Sequence, residues 1–174
     1  METFCPPKPF VENPNFEADR LSALTALEQV DIDEPIKQLI LKFSALPYCF
    51  TLQSCNGHFQ CTPADEPHNN NPIPDNHTGE VRYRIAYIAL CIETSEQGLL
   101  FFKALSSLTK IDPNYIQFGS ADWFWNQWVN SYILQVEPSG QQFKDVAKLD
   151  VNEARHVEKV RAQFFKEIDL LLSS

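Results

Sequence analysis

The sequence predicts one α/β domain, a mixed β-sheet covered by helices, in the order α-α-β-β-α-β-β-α. Two stretches with helical apolar spacing precede the first strand signal. Strand-like segments recur between residues 48 and 137, and the chain closes on a long amphipathic stretch. Such an alternation of periods places helices on a sheet. A length of 174 residues, with 44% hydrophobic and 21% charged, supports one packed core, and 13 Phe, 5 Tyr and 3 Trp supply its bulk.

Residues 1–15 carry Pro6, Pro7, Pro9 and Pro14 and read as an extended arm, leaving 16–174 as the domain. From Phe16 to about Val30, Leu21, Leu24 and Leu27 among charged residues predict an amphipathic helix. A second helix starts with Asp33 as cap and Pro35 in its first turn. Ile36, Leu39, Ile40 and Phe43 then fall on one face, and Pro47 ends it. Asp31, Asp33 and Glu34 read as helix-start chemistry rather than as a metal cluster.

Tyr48 to Cys55 alternates as a strand, with Tyr48, Phe50, Leu52 and Ser54 on one face. Asn56 to Glu80 follows, holding Pro63, Pro67, Pro72 and Pro74 among Asn, Asp and His, a composition that excludes helix and strand alike. Irregular stretches of that length are commonly lids or binding loops. Val81 to Glu93 is the longest strand candidate. Thr94 and Gln97 form a capping box for a helix burying Phe101, Ala104, Leu105 and Leu108. Tyr115–Phe118 and Tyr132–Glu137 read as strands, the second ended by Pro138-Ser139-Gly140, while Ser120–Trp128 fits a helical turn or an aromatic strand equally. Asp150 caps the last helix, which runs to about Leu172 with Val157, Phe164, Ile168 and Leu171 on one face.

The formal net charge is −9 and the pI about 4.8. Broad binding to nucleic acid or anionic membranes is disfavoured, because phosphate contacts need clustered Lys and Arg and no two are adjacent here. No stretch reaches the ~20 apolar residues of a membrane span, and the N-terminus lacks a basic, then apolar, leader. Cys5, Cys49, Cys55, Cys61 and Cys91 are odd in number and irregularly spaced, which points to reduced thiols and a cytoplasmic location.

Chemistry concentrates in Ser54-Cys55-Asn56-Gly57-His58, where a strand turns into the proline-bearing loop. Gly57 after Asn56 suits a turn with positive φ, which can leave backbone N–H groups facing a ligand. Three uses are open. Ser54, Cys55, Asn56, Gly57 and His58, with Arg82 and Arg84 on the following strand, can bind a small polar ligand beneath the loop. Cys55, His58, Cys61 and His77 (or His68) can hold zinc. Cys55 can act as a nucleophile with His58 as base. The Trp123–Trp128 stretch either covers the sheet or stacks on a ligand.

The segment Thr51-Leu52-Gln53-Ser54-Cys55-Asn56-Gly57-His58, in its helix–strand setting from Asp33 to Glu93, resembles the tRNA wybutosine-synthesis methyltransferase family. That family shows Thr-x-Ser-Ser-Cys-Ser-Gly-Arg at this place. Ser54, Cys55 and Gly57 match directly, Gln53 and Asn56 stand where the family has serines, and His58 replaces its arginine. The resemblance implies an α/β protein with an S-adenosylmethionine site near this turn, acting on a modified guanosine in tRNA. It covers about a third of the chain. Zinc in a non-catalytic binding module is the alternative.

Overall fold

The computed structural model describes residues 4–138 and 145–173. Its largest element is a five-stranded antiparallel sheet in the order β1 (Phe4–Cys5), β6 (Ile116–Ala121), β7 (Ser131–Val136), β5 (Ala86–Ile92), β2 (Cys49–Cys55). A second, three-stranded sheet has the order β3 (His58–Gln60), β4 (Val81–Arg84), β8 (Val146–Leu149). The helices are α1 (Phe16–Leu27), α2 (Lys37–Ala45, entered through a 3-10 turn at Glu34–Ile36), α3 (Glu96–Ser107), α4 (Asp122–Gln127) and α5 (Val151–Leu172).

The α/β class is as expected, but every described strand pairing is antiparallel, where a mixed sheet was the expectation. The connection through α3 explains the difference. It returns β6 in the same direction as β5, as a parallel crossover would. However, β7 lies between them and pairs antiparallel with both.

Helices α2, α3 and α5 cover one face of the large sheet. Ile36, Leu39, Ile40 and Phe43 meet Ile88, Leu90 and Ile92, together with Phe101 and Leu105 of α3 and Val157, Phe164 and Ile168 of α5. Each such side chain taken from water contributes roughly 1.5–3 kcal/mol. The capping details differ by one residue at α3, where Ser95 accepts the Gly98 N–H at 3.1 Å while the Thr94 hydroxyl donates to the Val11 carbonyl at 2.7 Å. Asp150 caps α5 as expected, accepting from the N–H groups of Asn152 and Glu153.

The opposite face carries α1 and α4 over smaller clusters, Phe16 with Phe50 and Cys91, and Phe124 with Ala89, Ala121 and Ile133. Helix α1 does not bury the Leu21–Leu24–Leu27 stripe. Leu21 is 68% exposed, and only Phe16 of this helix is fully covered. Polar contacts hold the helix instead. The Arg20 guanidinium donates to the carbonyls of Ser44, Leu46 and Cys49, satisfying the end of α2.

Three further departures bear on the site. The register of β2 against β5 skips at Leu52, a bulge that places Ser54, opposite Ile88, on the face of Cys49 and Thr51 rather than that of Phe50. The expected strand Val81–Glu93 is two strands in different sheets, broken at Ile85. The irregular stretch after Asn56 contains β3, and β8 was not expected at all. Pro138 lies within the described residues, whereas Ser139 and Gly140 lie outside them. Among the described residues no helix is long and apolar enough to cross a membrane.

Candidate functional site

The turn between β2 and β3 is built from both sides. Gly57 takes φ of 82°, and its N–H points at the Cys55 sulfur, 3.5 Å away. Its carbonyl accepts from the Arg161 guanidinium of α5, which also lies over the Phe59 ring at 4.9 Å. Burial lowers the pKa of Arg161, against the opposing pull of Tyr83 and Glu158. The backbone N–H of Asn56 donates to Asp33 at 2.8 Å. Both N–H groups that could have faced an anion are therefore used within the protein, and the turn offers no open anion cradle there.

The loop folds back over this turn. His58 Nδ1 lies 3.0 Å from the Asn69 carbonyl, and the Asn56 amide donates to Asn70 at 3.0 Å. Asn69 in turn reaches the Phe59 and Glu66 carbonyls. Farther on, the Ile73 N–H donates to Glu158 of α5, and Arg155 of the same helix donates to the carbonyls of Pro74 and Asp75. The outcome is a buried turn, with Cys55 7% and His58 1% exposed.

Asp33 completes the arrangement. Its side chain makes no cap hydrogen bond to its own helix. The carboxylate instead lies 3.3 Å from His58 Nε2, and Asp33, Cys55 and His58 bring one ligand atom each to within 4.8 Å of one another. Burial raises the Cys55 pKa, the Gly57 N–H counters this, and the Asp33 charge adds to the rise.

The expected site residues thus separate. Cys55 and His58 share one buried cluster with Asp33. Ser54 borders a different cavity, of about 480 Å³, between α1 and the outer edge of β2. Ala23, Leu27, Leu52 and Trp128 give this cavity its apolar lining, and Asp19, Asp31 and Ser54 its polar lining. Among the described residues, none of the cavities described puts Ser54, Cys55 and His58 on one floor beneath the loop, which was the expectation. The cavity under the loop, about 490 Å³, is lined instead by Phe59, Cys61, Asp65, Asn69, His77 and others. Cys61 and His77 belong there, outside the Asp33 cluster, and the expected Cys55–His58–Cys61–His77 set is not assembled.

Arg82 and Arg84 are exposed on β4 as its outward-facing residues. Arg84 reaches His68 at 3.4 Å and lines a third cavity of about 230 Å³, with Gln53, Tyr87, Gln135 and Asp145. The aromatic stretch divides among roles. Phe124 is core, Trp125 packs on Tyr132 under Lys8, Trp123 is 59% exposed, and Trp128 lines the α1 cavity.

Cysteine accessibility follows from this placement. Burial pushes the Cys49 thiol up to about 12 and raises that of Cys91, while Cys5 and Cys61 are partly exposed. Titration of the folded chain with a disulfide reagent at neutral pH is expected to modify Cys5 and Cys61 first. Cys49 and Cys91 should react only after denaturant is added. Fast modification of Cys49 would contradict the burial described.

No protein-family model matches the sequence, and no curated protein matches it. The fold is similar to solved structures of the PH1069 protein from Pyrococcus horikoshii. One superposes with a TM-score of 0.53 at 18% identity, covering 92% of this chain and 93% of that one. Another, from Pyrococcus horikoshii OT3, gives 0.50 at 17% identity over the same shares. At these identities the likeness concerns the fold alone.

Proposed function

We propose that the chain is an S-adenosylmethionine-dependent methyltransferase related to the wybutosine-synthesis enzymes, with the donor held in the α1–β2 cavity. One observation carries this reading. The Ser54 of the motif that resembles that family borders a cavity whose lining suits a nucleoside with a cationic tail. Its size lies within the range of small-molecule sites. Trp128 offers an aromatic face for adenine, and Asp19 and Asp31 offer carboxylates for ribose hydroxyls or a positive charge. The acidic balance of the chain favours a cationic ligand as well.

The sulfonium supplies an already activated methyl group, so the work left to the chain is alignment and exclusion of water. Gln53 lines both this cavity and the smaller polar one bearing Arg84, Tyr87 and Gln135. The smaller cavity would receive the edge of an acceptor base. A modified guanosine in tRNA is the acceptor class the family resemblance implies. Arg82, Arg84 and Lys148 on the outer face of the three-stranded sheet form a local basic group that could meet its phosphates despite the net charge, although Lys148 also pairs with Glu80 at 3.1 Å.

Thermal melting with S-adenosylmethionine and its demethylated product tests the donor site. At about 100 times Kd a ligand of the folded state adds about 2.7 kcal/mol. For a chain this size that raises Tm by about 5–10 °C. Trp128→Ala should abolish the shift while leaving the ligand-free melt within about 3 °C, since Trp128 is only partly buried. No shift with either ligand at millimolar concentration would overturn the proposal.

A further inference from the structure

A second site lies outside the α1 cavity and does not depend on how that cavity is used. We infer that Asp33, Cys55 and His58 form a binding site for a divalent transition metal, zinc by the character of its donors. The chemistry of the set is specific: one carboxylate, one thiol and one imidazole are the mixed ligands that borderline-soft zinc accepts, and hard cations such as magnesium avoid.

The geometry adds a second, independent observation. His58 Nε2 is fully buried and makes no hydrogen bond, although it faces the Asp33 carboxylate at 3.3 Å. A buried polar nitrogen left in that condition calls for an explanation. Its partner nitrogen provides one. With Nδ1–H assigned as donor to the Asn69 carbonyl at 3.0 Å, Nε2 keeps its lone pair 3.3 Å from the Asp33 carboxylate, in the cluster that includes Cys55. A carbonyl that orients a histidine in this way is a recurrent support of metal ligands.

The other two ligands are held as well. Asp33 is fixed by the Asn56 N–H at 2.8 Å, and the Cys55 sulfur receives the Gly57 N–H at 3.5 Å. Cys55-Asn56-Gly57-His58 is therefore a short ligand turn closed by a residue 22 positions upstream of Cys55. Three protein ligands leave a fourth position for water or another donor.

Chelator-treated full-length protein titrated with cobalt(II) is the test, because cobalt reports its ligands by colour. The expected result is saturation at one equivalent, with intense visible bands of a tetrahedral ion and a near-ultraviolet thiolate-to-cobalt band, both bleached by zinc. Cys55→Ser should remove the near-ultraviolet band, and Asp33→Asn should weaken binding at least tenfold while the circular dichroism stays native. Cys61→Ser should bind as the parent does. The proposal fails if no saturable band forms. It fails equally if the band survives Cys55→Ser or disappears with Cys61→Ser, which would move the ion to the loop cavity. Since the readout is cobalt colour and not S-adenosylmethionine binding, either site can fail alone.

Discussion

Replacing Gly57 by alanine is expected to lower stability by about 2–5 kcal/mol and Tm by about 5–20 °C. Two costs combine. At φ of 82° an L side chain meets its own carbonyl, a penalty of about 1–2 kcal/mol. The new Cβ would also stand 2.8 Å from the Ala86 Cβ and 3.0 Å from the Ala86 nitrogen, in a region closed by Arg161 and the loop. Crowding of that kind costs about 1–3 kcal/mol. Gly79→Ala is the matched control. Its Cβ would meet only the partly exposed His77 ring, at 3.3 Å, so the change should stay within about 0.5 kcal/mol. Thermal melts of the two variants side by side decide the matter, and coincident curves would refute the account. Since Gly57 sets the direction of both Cys55 and His58, the same variant should also lose cobalt binding.

That dependence marks what could be seen in the residues and what could not. Gly57 after Asn56 was legible as a positive-φ turn because only glycine adopts that conformation at no steric cost. The core face of α2 was legible because Ile36, Leu39, Ile40 and Phe43 repeat at helical spacing, and all four are buried. The cap of α5 was legible for the same local reason. Asp33 was not. Its position before Pro35 is that of a helix cap, and nothing local distinguishes a carboxylate that caps its own helix from one that reaches a turn more than 20 residues away.

Nor was the placement of Ser54. A strand read by strict alternation puts Ser54 with Phe50, and one bulged residue at Leu52 reverses the assignment. The same limit applies to Val81–Glu93, which is continuous in composition but breaks at Ile85, where the chain leaves one sheet for the other and the Ile85 N–H donates to Asp145 instead of a ladder partner. The site therefore depends on long-range geometry at Asp33, Leu52 and Ile85. Its chemical residue types were legible, whereas their grouping was not.

The break at Ile85 is held by one hydroxyl, and removing it should be costly. Tyr83 is fully buried. Its OH accepts the Ala86 N–H at 2.9 Å and donates to the Val136 carbonyl at 2.9 Å, so a β4 side chain ties the start of β5 to the end of β7. Burial raises its pKa, which keeps the phenol protonated and able to donate throughout the neutral range. Tyr83→Phe preserves the ring and its stack on Phe59, at 4.8 Å between centroids, and deletes only the oxygen. Two buried backbone groups then lose a partner, at about 1–3 kcal/mol each, for an expected loss of about 2–6 kcal/mol. Hydrogen exchange should show the Ala86 amide opening more readily in this variant, while amides in the middle of α5 change only with global stability.

Ala86 also receives the Cβ introduced by Gly57→Ala, so the two substitutions disturb one residue from opposite sides. Once Tyr83→Phe has freed the Ala86 backbone to shift, the added methyl group should cost less. The double variant is expected to fall short of the sum of the single losses by more than 0.5 kcal/mol, the size at which contacting residues depart from additivity. Strict additivity would mean that Ala86 does not move, and that the turn and the sheet junction are held independently.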